Sequence, residues 1–479
     1  MSLDQIDRYH HLSSDPSLRR QVFRLYLQDL AAHRISPYDI LGDDVIRISF
    51  PNANWPLSSI VPDPENPTGG NRVLEVRDDR TDASIGTQSS LAIPVLQGTR
   101  YSLGWKARTD TRRNYAVAIN QYKANGDWIS GHNIDAARTG TGSWVQDSVE
   151  IPTGLITAGT AFVRITLYAC PWTQAGELTG TTWFDDISFR AEGSSSNLVL
   201  NPSFELKPDQ VDVAADFTAA EPVFTYALDT LGIDSFRLPL PFFAWGDATG
   251  HHGGSILGYS SDTTEYESIY GKLLRTVGDH LAQRGWPDRA YTYWYDEPEP
   301  DDYPFVIQGM DLIHRSDPRL KRLLTEQFSP DLAGHVDIWT PIFHRFDVSW
   351  TGQRQALGEQ VWWYVCTGPK APYPNNFIDH PGIEHRIRFW MSWQYGAQGD
   401  LYWDTTYWTN DDVFPPPRLQ DPWTDPMSYN YSGSVGIWGN GDGRLLYPPR
   451  SWSDERTRVE GPTPSIRWEM IREGIEDYE

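Results

Sequence analysis

After Asn197, short apolar runs alternate with amphipathic stretches, and this alternation limits the possible folds more than any other feature of the chain. Residues 234–240 read as a short buried strand. Residues 265–284 read as a long helix with Ile269, Leu273, Leu274, Val277 and Leu281 on one face, ended by Gly285 and Pro287. Strands then follow at 290–295, 320–327, 336–341, 360–366 and 400–404, with helices at 305–315 and 384–395. Strand-then-helix repetition at this spacing means parallel strands joined by crossover helices. A doubly wound sheet fits less well, because no glycine-rich phosphate loop follows any strand. The fold class expected is therefore α/β, a (β/α)8 (TIM-type) barrel.

Residues 1–42 and 198–479 together supply roughly the number of residues such a barrel uses. The first segment opens on a helix that Asp15 can cap and Pro16 can start, with Leu18, Val22, Tyr26, Leu27 and Leu30 on its apolar face. A further strand is expected at 35–40, and the strand count places another upstream of Met1, a barrel incomplete at its N-terminus. No charged n-region followed by an apolar stretch opens the chain. Between the two segments, 43–197 changes texture. Tyr101, Leu103, Trp105 and Ala107 alternate with polar residues, as do Tyr115, Val117 and Ile119, and Val163, Ile165 and Leu167. No helix pattern interrupts this stretch. It reads as an inserted all-β jelly-roll sandwich of carbohydrate-binding kind, closed by the polar linker 191–197. Its acidic turns at 78–82 and 185–186 suit a structural calcium ion.

Composition narrows the function. Forty Lys and Arg against 64 Asp and Glu leave a net charge of −24, which repels nucleic acid and anionic lipid. No run is long and apolar enough for membrane insertion. Two cysteines, Cys170 and Cys366, make neither a disulfide scaffold nor a four-ligand zinc site. His251-His252, in a glycine-rich loop near Asp247, lack any zinc-ligand spacing. The excess is aromatic: 21 Trp and 24 Tyr beside 5 Met. An indole is a flat ring with one polar edge, suited to the apolar face of a sugar. The partner expected is a glycan or oligosaccharide, with no metal or other cofactor required. Glycan chemistry points to an extracellular or periplasmic address, which the N-terminus itself does not specify.

Barrel active sites form where strands end, so those ends carry the candidates. In 290–300 the strand formers Tyr291 to Tyr295 run straight into Asp296 and Glu297, and Pro298 forbids another ladder bond. Two carboxylates thus emerge beside rings, Tyr295 among them, that can line a sugar pocket. Adjacent carboxylates do not easily flank a glycosidic bond as ordinary retaining or inverting pairs do. They suit a scheme in which Glu297 protonates the leaving oxygen while Asp296 orients a 2-acetamido group whose carbonyl attacks the anomeric carbon. Glu297 must then be raised in pKa by apolar walls and its charged neighbour.

Here the chain resembles glycoside hydrolase family 123, the β-N-acetylgalactosaminidases. Tyr295-Asp296-Glu297-Pro298 is similar to that family's catalytic pair. The surrounding landmarks, in order, are His33-Arg34-Ile35-Ser36-Pro37, Trp363-Tyr364-Val365-Cys366-Thr367-Gly368-Pro369, Tyr373-Pro374-Asn375-Asn376, Gly399-Asp400-Leu401-Tyr402-Trp403 and Gly441-Asp442-Gly443. Ser465-Ile466-Arg467 resembles the start of the family's closing helix. The likeness covers both barrel segments and not the inserted sandwich. It implies retaining, substrate-assisted cleavage of a terminal β-linked N-acetylgalactosamine, with Glu297 as acid/base and Asp296 as acetamido stabiliser.

Other strand ends supply candidates for substrate binding. Tyr364 can hydrogen-bond the acetamido group or a ring hydroxyl, Asn375 and Asn376 can bind sugar hydroxyls, and Trp403 can stack beneath the ring. Asp404, directly after Trp403, adds a carboxylate that bears on which ring is accepted. Two rival readings stand. Glu297 with Glu326 or Asp404 would make a conventional separated pair acting on a sugar without an acetamido group, and a barrel without catalysis would make a carbohydrate-binding protein.

Overall fold

Parallel strands appear in chain order, each shorter than its apolar run. They are β1 (Phe236–Arg237), β2 (Ala290–Thr292), β3 (Lys321–Leu324), β4 (Ile338–Trp339), β5 (Gln360–Val361), β6 (Trp363–Val365) and β7 (Asp400–Tyr402). In this computed structural model, which describes residues 1–12, 15–66, 71–171, 178–247, 249–431 and 435–479, β1 to β5 form one sheet in that order and β6 pairs with β7. The registers are parallel throughout, for example Phe236↔Ala290, Tyr291↔Lys321, Leu323↔Ile338 and Trp363↔Asp400. β5 and β6 belong to one central stretch. The Trp362 and Tyr364 amides donate to Trp339 and Pro341 on one side, and the Trp363 amide donates to Gly399 on the other. Crossover helices include Tyr303–Ser316, Val348–Ala356 and Gly382–Tyr395, the second of which the apolar pattern does not announce.

The expected strand at 35–40 is not a ladder. Pro37 has no N–H to give, and only the Tyr38 carbonyl accepts from β1, from Arg237 N at 3.1 Å. The Ser36 hydroxyl substitutes for the backbone, accepting from Asp234 N and Ser235 N at 3.2 Å each. Among the described residues the ladders do not close an eight-stranded ring. The architecture shown is a mixed α/β fold of sequential parallel strands. Helix Pro16–Ala32 is capped as its sequence demands, Asp15 accepting from Ser17 N at 2.9 Å. Its Val22, Tyr26 and Leu30 share a core with Trp408, Leu446 and Trp468, so the first and last segments of the chain build one hydrophobic interior.

By contacts the chain divides into two units: Met1–Arg47, Ala215–Gly253 and Gly271–Glu479 in one, and Ile48–Ala214 with Gly254–Tyr270 in the other. The second unit is built on two five-stranded antiparallel sheets. One runs Ile60–Pro62, Arg72–Asp78, Gly180–Ala191, Tyr101–Thr109, Val145–Ile151; the other is centred on Phe162–Tyr168 and Asn114–Tyr122. Strand Tyr101–Thr109 alternates buried and half-buried residues along its whole length, the period of a strand with one face on a core. The sheets meet where Trp105 Nε1 donates to the Tyr115 hydroxyl at 3.1 Å. Trp183 donates to Glu75 at 2.9 Å and Trp128 stays half exposed, while Trp172 lies outside the described residues. The acidic turns bond to their own loops and to a lysine. Asp78 accepts from Arg80 N and Ile85 N, Asp185 from Asp186 N, and Asp186 pairs with Lys106 at 2.6 Å. No group of three or more His, Cys, Asp or Glu among the described residues could hold a metal ion.

Candidate active site

Beyond Thr292 the chain leaves the β3 ladder but stays paired on its other side. Gly246 N donates to Trp294 O at 3.1 Å, and Asp296 N donates to Gly246 O at 2.9 Å. The backbone then turns at Glu297 itself, whose φ is +47°. A left-handed conformation is uncommon for a residue with a Cβ and persists where its surroundings hold it. What holds it is Thr325, the residue after β3. Its hydroxyl accepts from Glu297 N at 3.0 Å and donates to Asp296 Oδ1 at 2.7 Å. The Tyr293 hydroxyl donates to the same Oδ1 at 2.5 Å. Asp296 and Glu297 thereby open together onto a cavity of about 800 Å³.

The walls of this cavity carry many aromatic rings, with Tyr291, Tyr293, Trp362, Tyr364, Trp403 and Trp438 among them. Tyr364, on β6, donates its hydroxyl proton to Glu297 Oε1. Burial, reinforced by the Glu297 charge, drives the Tyr364 phenol well above its usual pKa, so it remains a donor. Both carboxylates reach solvent inside the cavity, yet the Glu297 carboxyl is raised from its ordinary pKa. Burial is the largest cause, the Tyr364 hydrogen bond opposes it, and the Asp296 charge adds to it. Glu297 is thus biased toward the protonated form that an acid catalyst needs.

The remaining candidates separate. Trp403 lines the cavity, its indole N–H fixed on Asp442 Oδ1 at 3.1 Å, where Tyr402 also donates at 2.8 Å. Asn376 lines it too, with its amide oxygen accepting from Arg388 at 2.9 Å. Arg388 forms a buried pair with Asp400, Nε to Oδ2 at 2.6 Å. Three residues are not on the wall. Tyr295 packs its ring against Trp294 and Phe305 and over Gly246, where a side chain would collide with it. Asn375 is fully buried and donates to the carbonyls of Cys366 and Pro369 at 3.0 and 2.8 Å, bracing the loop after β6. Asp404 caps its own turn, accepting from the amides of Thr405 and Thr406 at 2.7 and 3.0 Å. Glu326 also lies off the wall and accepts from Gln327 N at 2.9 Å; burial pushes its carboxyl up to about 7. Neither Glu326 nor Asp404, the partners that the separated-pair reading names for Glu297, lines this cavity. Thr325 and Tyr293, which orient Asp296, were not singled out from the sequence.

A cavity in which a consecutive pair of carboxylates opens among aromatic rings at a parallel strand end suits a sugar substrate. Residues 230–479 match the family model "Glycoside hydrolase 123, catalytic domain", and the chain belongs to that family. Among solved structures, a family 123 glycoside hydrolase from Clostridium perfringens, studied for glycolipid glycan hydrolysis, is similar at 14% identity. It covers 82% of this chain and 81% of its own, with a TM-score of 0.39. A family 4 carbohydrate-binding module is similar at 17% identity over 26% of this chain and 86% of its own, TM-score 0.19. The CBM22-2 xylan-binding domain of Paenibacillus barcinonensis Xyn10C is similar at 16% identity over 31% and 89%, TM-score 0.21. No curated protein matches the chain.

Proposed function

We propose that this glycosidase is a retaining β-N-acetylhexosaminidase that uses the substrate's own amide as nucleophile and acts on terminal β-linked N-acetylgalactosamine. The observation that carries the reading is the shared opening of two consecutive carboxylates onto one cavity, each with its own hydrogen-bond partners. In the first step the acetamido oxygen bonds to C1 as the C1–O bond breaks, and Glu297 gives its proton to the departing oxygen. Asp296, aimed by Tyr293 and Thr325, accepts from the acetamido N–H and stabilises the positive charge of the oxazolinium ion. In the second step Glu297, now a carboxylate, takes a proton from water while the water oxygen bonds to C1 and the five-membered ring opens. Two displacements at C1 retain its configuration. Trp403 supplies a stacking floor and Asn376 borders the sugar. The same reading takes the sequential strands as a (β/α)8-type catalytic barrel and 43–197 as an inserted jelly roll for glycan binding.

Matched aryl β-glycosides with and without the 2-acetamido group test it. Turnover confined to the acetamido substrates, blocked by a thiazoline mimic of the oxazolinium ion, is expected. Equal turnover of both, with thiazoline ineffective, would transfer the assignment to a conventional nucleophile.

A further inference from the structure

We infer that the hairpin formed by Trp245–Asp247 and Gly250–His252 is the leaving-group subsite, an aromatic platform for the sugar on the far side of the scissile bond. The inference rests on the proposed glycosidase reading. Trp245 is 53% exposed, unusual for the largest apolar side chain. His252 stacks on one of its faces, ring centroids 4.2 Å apart and 27° between planes, so one indole face is packed and exposure belongs to the rest. A flat, half-packed indole presents the surface that the C–H face of a pyranose covers.

Position supplies the occupant. The backbone of Gly246 bonds to both Trp294 and Asp296, so Trp245 is one residue from the segment that carries the catalytic pair. Neighbouring strands run about 4.8 Å apart, so the hairpin lies directly beside the segment that carries Asp296. Close seating is enforced at Gly246, where a Cβ would lie 2.3 Å from the Tyr295 ring. The second strand of the hairpin is anchored as well: the His251 ring stacks on Phe305 at 4.1 Å, and its Nδ1 lies 3.5 Å from Asp302. Trp245 does not line the cavity that holds Glu297, Tyr364 and Trp403. A ring bound inside that cavity is the sugar being released, so a ring on Trp245 is the next one along the glycan.

Two substrates with the same terminal sugar separate the platform from the cavity: a disaccharide of β-linked N-acetylgalactosamine on galactose, and N-acetylgalactosaminyl fluoride, whose one-atom leaving group cannot reach Trp245. For Trp245→Ala the ratio of kcat/KM on the disaccharide to that on the fluoride should fall roughly tenfold, the scale of one lost ring stack, with part of the loss restored in Trp245→Phe. His252→Ala, which removes the packing beneath the indole, should lower the same ratio by a smaller factor. A ratio unchanged in Trp245→Ala overturns the subsite, whether both rates fall together or neither does. Wild-type protein that cleaves neither substrate overturns the glycosidase reading, and the subsite with it.

Discussion

Two strand ends in this molecule look alike on paper and behave differently in space. After β2 the chain reads Tyr293-Trp294-Tyr295-Asp296; β7 ends on Tyr402 and runs into Trp403-Asp404. Asp404 accepts from the amides of Thr405 and Thr406 and so serves its own turn. Asp296 accepts from two hydroxyls, one of them on the neighbouring strand's end, and faces a cavity. The residue two places further on decides between them. An aspartate readily takes the N–H two residues ahead. Thr406 offers that N–H at 3.0 Å, whereas Pro298 has none. An acidic residue at a strand end becomes available for chemistry when its local backbone cannot satisfy it.

The sharpest break in the comparison is Glu297→Gln, which should lower kcat by roughly 10³-fold or more while Asp404→Asn changes it little, both read on an aryl N-acetylgalactosaminide. Comparable losses in the two variants would mean that the strand ends are not functionally distinct. Asp296→Asn should reduce kcat by roughly 10²–10³-fold. Removing its negative charge also lowers the Glu297 pKa, so the alkaline limb of the residual activity should move to lower pH. Tyr364→Phe shifts that limb the other way. The lost hydrogen bond was holding the Glu297 pKa down, so the acid should stay protonated to higher pH, with a fall in kcat of about tenfold or less. A limb that moves the same way in both variants would contradict these causes. The smallest effect is on folding: Asp404→Ala should lose about 1 kcal/mol in denaturant unfolding, with kcat/KM nearly unchanged.

The alternation of strands and helices was readable because each element carries its own period and end signals, Asp15-Pro16 and Gly285 among them. Ladder lengths were not, since apolar runs continue past the point where a neighbour stops pairing, as at 293–295. The adjacent pair Asp296-Glu297 was visible from its place at a strand end, and the raised pKa of Glu297 followed from apolar walls and a charged neighbour. Thr325 carries no local mark of its part, because what it touches is set by β3 lying beside β2. Asn375 and Asp404 misled for the converse reason. Each is a polar residue near a strand end whose side chain turns back to its own backbone, a choice fixed by loop geometry. The 35–40 segment carries a strand-like pattern but presents Pro37 where a ladder needs a donor.

At Glu297 an L-amino acid occupies a backbone region that glycine enters freely, at a cost of about 1–2 kcal/mol. Foldability and turnover therefore oppose each other at one position. Glycine there should yield a protein that is inert yet melts higher than Glu297→Gln, and a lineage released from the need to cleave sugars would have a thermodynamic incentive to discard its acid first.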